Sequence, residues 1–244
     1  MASFLSGVNT MRLDKLLANL QYASRKHIKK LARDGLIRVN HIIIKDASQH
    51  VDPENDIIEI GGERVIYYDS LTLMMNKRRG VVSARVDDRD LTVMDDLDPV
   101  YQRHDLHIAG RLDKDTEGLL ILTTDGKLLH DIISPKKDIY KYYEVIVDKE
   151  LKDVSRLEQP MTLLDGNDAP YESEPAIVEY HEGKHLVIGI KEGKFHQVKR
   201  MIHMLDANVV YLKRIRINHL SLDEGLAPGE VKPLDEVAIK KLIE

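Results

Sequence analysis

Cysteine is absent from the 244-residue chain, which excludes disulfides and thiolate metal sites. No apolar run approaches the ~20 residues that a membrane-spanning helix requires, so no membrane partner is expected. The first ten residues, MASFLSGVNT, have neither a basic start nor an apolar core and do not read as a signal peptide. There is no internal repeat, no low-complexity tract and no phosphate-binding glycine loop, so no nucleotide cofactor is expected. Together these absences suit a cytoplasmic protein.

What is present is an ordinary globular balance, 43% hydrophobic and 32% charged, on a chain long enough for one large domain or two smaller ones. A formal net charge of −5 argues on its face against a polyanionic partner, but the distribution of charge argues for one. Residues 11–46 hold nine Lys and Arg against three Asp and Glu, and residues 191–216 hold seven against two. Acidic stretches such as DDRD (87–90) and DDLD (95–98) lie between them. Two basic patches on an acidic chain fit a defined footprint; solvated surface faces are the alternative.

Residues 11–46 read as a compact helical unit. Leu13, Leu16, Leu17 and Leu20 recur at i, i+3, i+4 and i+7, one face of an amphipathic helix. Ser24 is placed to cap a second helix, RKHIKKLARD, with Ile28 and Leu31 inward and Gly35 just past its end. Arg25, Lys26, Lys29, Lys30 and Arg33 decorate that helix. LIRVN, HIIIK and NDIIEIGGE then read as strands. A second unit opens at LTLMMNKRRG (71–80) and mixes strands such as LLILTT, YYEVIVD, HLVIGI and NVVYLKRIRI with helices in DGKLLHDIISP, FHQVKRMIHML and VAIKKLIE. Without regular βαβ spacing, an α+β domain with a mostly antiparallel sheet is favoured.

The stretch AGRLDKDTEGLL (109–120) crowds Asp113, Asp115 and Glu117 behind Arg111 and ahead of Gly118. A calcium loop fails, because its twelfth position should be a bidentate Glu and is Thr124. A two-metal site lacks a partner at diagnostic spacing, His104 and His107 notwithstanding, so no metal is expected. A polar turn accounts for Asp115, Thr116 and Glu117 as residues that shape and solvate the loop. It accounts less well for GRLD, where an Arg and an Asp flank one apolar Leu112 at the mouth of a buried strand, a place where catalytic groups gather.

Two resemblances sharpen this picture. MRLDKLL…YASRKHIKKLARDGLIRVN resembles the S-four-type RNA-binding domain, which presents its second helix to RNA; His41 stands where that family usually has Gly. GRLDKDTEGLLILTTDG (110–126) resembles the central motif of the pseudouridine synthases that modify ribosomal RNA. NKRRG (76–80), KYYEV (141–145), IGIKEGKFHQVKRM (188–201) and LAPGEVKPL (226–234) resemble the other elements of that family, in its order. Arg78 departs from the usual Pro of N-K-P-x-G. The wording HQVKRM and the length are most like the small-subunit ribosomal RNA branch.

The resemblance implies an enzyme that isomerises uridine to pseudouridine in ribosomal RNA, free or in an assembly intermediate, with 16S RNA expected before 23S. Asp113 becomes the catalytic aspartate, Lys199 its basic partner, and Tyr143 the ring that stacks on the target base. Arg111 is placed to brace the gap left by a flipped-out uridine; a salt bridge to Asp113 or Asp115 is its plainer reading. Lys194 and Arg200, in the second basic stretch, join the five basic residues of the N-terminal helix as candidate RNA contacts. An isomerisation calls for no cofactor. The expected architecture is a tail (1–10), a small α/β RNA-binding domain (11–68), and a synthase-like domain (71–244) with a mixed, mostly antiparallel sheet flanked by helices. A monomer is expected. A non-catalytic RNA-binding assembly factor is the reading from a different class.

Overall fold

The structure, a computed structural model, describes residues 10–244; the expected tail (1–10) therefore lies, but for Thr10, outside the described residues, as does the stretch that does not read as a signal peptide. The chain divides into two compact units, one of residues up to Ser70 together with Asp98–Asp105, the other of Leu71–Leu97 and Leu106–Glu244.

In the first unit, α1 (Leu13–Asn19) and α2 (Arg25–Arg33) lie beside a four-stranded sheet of order β3-β2-β5-β6, from β2 (Ile37–Val39), β3 (Ile42–Ile43), β5 (Ile58–Ile60) and β6 (Glu63–Arg64). A short pair, β1 (Met11–Arg12) with β4 (His50–Val51), ties the start of α1 down. The leucine stripe does what its spacing requires: Leu13, Leu16, Leu17 and Leu20 join Ile28, Ala32 and Ile37 in one core. Leu31 is only partly buried against it. Ser24 accepts the His27 amide as N-cap, and Gly35 adopts φ +80° after the helix. Sequence patterning assigns 98–105 to the second domain. In the fold this segment, with α3 (Pro99–Gln102), joins the first unit because aromatic contacts hold it there: Tyr68 meets Tyr101 and His104, and the Arg103 guanidinium lies 4.2 Å over Tyr22.

The second unit is built on a nine-stranded sheet. Its main order is β13-β14-β10-β15-β9-β7-β17, from β7 (Thr72–Lys77), β9 (Glu117–Thr123), β10 (Lys141–Val147), β13 (Ile177–Glu182), β14 (His185–Ile190), β15 (Val209–Ile217) and β17 (Val231–Pro233). β8 (His107–Ala109) adds to β9, and β16 (Leu220–Ser221) to β15. All pairings are antiparallel except β9 with β15, as alternating strands without βαβ spacing led one to expect. A separate hairpin joins β11 (Met161–Leu164) to β12 (Pro170–Ser173). Helices α4 (Gly126–Ile133) and α6 (Glu236–Ile243) close a core around Met74, Leu119, Ile121, Leu128, Ile132 and Leu242. The remaining helix, α5 (Gln197–His203), buries Val198, Met201 and Ile202 at helical spacing.

Candidate active site

Side chains from neighbouring strands grip the loop that carries the central carboxylates. β8 ends at Ala109, Gly110 turns the chain with φ +82°, and β9 resumes at Glu117. Lys77, last residue of β7, is fully buried, and its Nζ donates to the main-chain oxygens of Thr116 (2.7 Å), Asp113 (3.0 Å) and Arg78 (3.2 Å). Burial pushes its ammonium down to about 8, against the pull of Asp113, Asp115 and Glu117. Ser83 Oγ accepts the Leu112 amide and donates to the Leu112 carbonyl. Arg214, 1% exposed, donates through Nε to Leu119 O (2.7 Å) and through Nη2 to Gly110 O (2.8 Å). Buried donors thus answer the loop's carbonyls, which would otherwise carry a desolvation cost.

So held, Asp113 presents a carboxylate about one third exposed. Lys199, 86 residues later in the first turn of α5, reaches Asp113 Oδ2 at 3.0 Å and Asp115 Oδ1 at 2.6 Å. Burial works against the Lys199 charge, but its bonds to Asp115 and Asp113 prevail and hold the ammonium above the usual lysine range. Burial likewise opposes the Asp115 charge, and the Lys199 bond holds that carboxyl below the usual range. Asp115 is therefore more than a solvating loop residue. Nor do its neighbours solvate the loop: Thr116 is 1% exposed, and Glu117 accepts the Tyr211 hydroxyl at 2.6 Å. His196 Nε2 stands 3.5 Å from Asp113 Oδ2.

Asp113 opens onto a cavity of about 380 Å³ whose walls include Arg111, Lys141, Tyr143, Ile190, Lys194, His196, Lys199 and Arg214. Tyr143 is nearly buried, on the face of β10 that also carries Lys141 and Val145. A bulge in β15 sets the register: Tyr142 pairs with Arg216 but Tyr143 with Arg214, leaving Ile215 unmatched. Plain alternation would put Arg214 and Arg216 on one face. With the bulge, Arg214 lines the cavity while Arg216 lies 3.7 Å over the Tyr142 ring. Lys141 is pushed down to about 8 by burial and by Arg214, and its Nζ donates to the carbonyls of Ile139 and Lys191, both at 3.1 Å.

Arg111 is exposed on the cavity wall; among the described residues it makes no ion pair with Asp113 or Asp115, both of which Lys199 takes. Lys194 is exposed on the same wall, its Nζ 5.5 Å over the Tyr171 ring. Arg200 donates to Asp165 O (2.8 Å) and faces a neighbouring groove. Arg25, Lys26, Lys29, Lys30 and Arg33 are all exposed on α2 of the first unit, with Lys30 tied to Asp34 at 2.8 Å. At the departing first motif, Arg78 forms a two-pronged pair with Asp96, Nε–Oδ2 2.9 Å and Nη2–Oδ1 3.0 Å, anchoring the loop by charge where a proline would stiffen it. Sequence reasoning missed Lys77, Lys141, His196 and Arg214. Lys77 and Lys141 stood inside recognised motifs, but nothing in strand alternation marks Arg214. Among the described residues no group of three or more His, Asp or Glu is arranged to hold a metal ion, and no helix is long and apolar enough to cross a membrane.

The family described as RNA pseudouridylate synthase matches residues 71–204, and the S4 domain matches residues 11–58. An uncharacterised RNA pseudouridine synthase of Bacillus subtilis is 43% identical over 240 residues, covering 96% of this chain and 99% of the relative. The ribosomal small subunit pseudouridine synthase A of Escherichia coli is 34% identical over 236 residues, covering 96% and 100%. A crystal structure of a pseudouridylate synthase superposes with a TM-score of 0.65 at 33% identity, over 96% of this chain and 100% of that one.

Proposed function

The chain belongs to the RNA pseudouridylate synthase family and carries an S4 domain at its N-terminal side, and from that premise we propose that it isomerises a uridine of small-subunit ribosomal RNA in the cytoplasm, with Asp113 at the reacting centre. The carrying observation is the convergence of Lys199 on Asp113 at the wall of a nucleoside-sized cavity.

The reaction breaks the N1–C1′ bond, turns the base, and forms C5–C1′; the C5 proton is lost and N1 gains one, so nothing leaves and nothing is oxidised. It needs an ionised nucleophile or base against the ring or sugar, which Asp113 supplies. Lys199 provides the countercharge inside a partly desolvated pocket. The Tyr143 ring, fixed by the sheet, stacks on the extruded uracil and limits the planes in which it turns. Extrusion costs a few kcal/mol, and Arg111, unpaired with the loop carboxylates, is free to occupy the gap in the RNA stack.

The test is site mapping of pseudouridine in 16S and 23S RNA after incubation with wild type and Asp113→Asn. Modification of one small-subunit position by wild type, reduced by roughly 10³-fold or more in Asp113→Asn, is the expected result. Equal modification by both proteins would remove Asp113 from the mechanism. Modification confined to 23S RNA would reassign the substrate, and RNA binding without modification would favour the non-catalytic assembly factor.

A further inference from the structure

Beside the Asp113 cavity lies a second concavity, of about 480 Å³. The two share His196 and Lys199 as walls. Its floor is apolar and open: Leu164 of β11 is 47% exposed and Met204, just after α5, is 51% exposed. Its rim is basic, with Arg200 and His203 joining His196 and Lys199, and none of its lining residues is acidic. Arg200 is oriented from two sides, by its bond to Asp165 O and by the Phe195 ring 5.3 Å away. The His196 imidazole is stacked on the same ring, centroids 3.8 Å apart and planes 18° apart.

An apolar floor with a basic rim that carries no carboxylate suits a flat, weakly polar ring carried on a polyanion. It suits an apolar peptide less well, since nothing acidic would answer basic residues on that partner. Continuity with the uridine cavity identifies the strand. We propose that this groove is a subsite for the nucleobase adjacent to the target uridine in the same RNA strand, seated on Leu164 and Met204 between Arg200 and His203. The inference rests on the reading that the uridine enters the Asp113 cavity. It assigns Phe195 a positioning role, holding Arg200 at the rim of the groove and the His196 ring at the shared wall.

Abasic substitution in RNA, crossed with truncation of the floor, tests this. The probe is a nine-nucleotide RNA with one central uridine among adenosines, the base being removed from the 5′ or the 3′ neighbour in turn. For wild type, loss of the base on one side, and not the other, should weaken binding about 5- to 150-fold, the range for a stacked base. In Leu164→Ala/Met204→Ala that penalty should disappear, while Met204→Leu should keep it. Both truncated side chains are half exposed, and an unchanged melting temperature separates lost contact from lost fold. Equal penalties in wild type and the double variant, or none on either side, would overturn the subsite. A wild type that forms no pseudouridine in ribosomal RNA yet shows the one-sided penalty would overturn the reaction and leave the subsite standing.

Discussion

Lys77, bonded to the backbone of the Asp113 loop, and Lys141, on the cavity wall, are both buried with ammonium groups pushed down to about 8, yet they answer different needs. Lys77 donates to three carbonyls and uses all three protons of an ammonium; Lys141 donates to two and loses no bond on becoming neutral. Deprotonation above pH 8 should therefore loosen the Asp113 loop through Lys77 but leave the Lys141 contacts in place. The stability linkage has a definite sign. The unfolded chain binds more protons than the folded one between pH 8 and the ordinary lysine value of 10.5, so each group contributes stability that rises with pH across that window. Lys141→Met should flatten the rise of unfolding free energy from pH 8 to 10.5, measured by urea titration; an unchanged slope would show that Lys141 is not depressed. The Lys199 bridge supports a second expectation. Asp115→Asn should lower turnover only several-fold, roughly 1 kcal/mol of lost charge–charge support, whereas Asp113→Asn would remove the proposed reacting group itself. Single-turnover pseudouridine formation separates the two.

At the scale of elements, two stretches of backbone carry unusual constraints. Gly118 lies inside β9 with φ +101°, where parallel β15 approaches so closely that an added Cβ would sit 2.3 Å from Arg214 O. Gly118→Ala should destabilise the second unit by about 3 kcal/mol or more, through left-handed strain and displacement of β15 together. Since β15 carries Arg214, activity should fall with stability, read by urea unfolding and turnover on one preparation. The β2–β3 turn is the opposite case. Asn40 and His41 both adopt positive φ, +50° and +67°, as a type I′ hairpin demands, and His41 fills a position suited to Gly. His41→Gly should stabilise the first unit by about 0.5–1 kcal/mol by relieving left-handed strain. A loss of stability would mean that the 3.7 Å approach of His41 to Glu59 matters more.

Across the molecule, charge is arranged against the net count. The chain is −5 overall, yet α2 exposes five basic side chains on one short helix, and the walls of the two cavities add Arg111, Lys194, Lys199 and Arg200. Proposed as phosphate contacts, these cations would act through counterion release, and each lost contact should lower the slope of log K against log salt by roughly 0.7–0.9. Replacing Arg25, Lys26 and Lys29 by Gln should weaken RNA binding and flatten that slope without changing pseudouridine formation at saturating RNA. A slope identical to wild type would show that α2 faces solvent in the complex.

Much of this was legible in one dimension, and the boundary between legible and hidden follows the range of the forces involved. Helical leucine spacing, the Ser24 cap, strand alternation and the ordered motifs determined individual helices and strands, the α+β class and the synthase family, because each depends on residues a few positions apart or on a family's fixed order. The pairing of Asp113 with Lys199 could be named only through the family resemblance, and composition alone would have left Lys199 on the surface. What only the tertiary structure decided is long-range. The excursion of 98–105 into the first unit depends on aromatic contacts with Tyr22 and Tyr68. The sharing of Lys199 by Asp115 depends on where α5 lands. The turning of Arg214 into the cavity depends on one unmatched residue, Ile215, because in a strand of period two a bulge exchanges the faces of the side chains beyond it, here as far as the second shift at Val210.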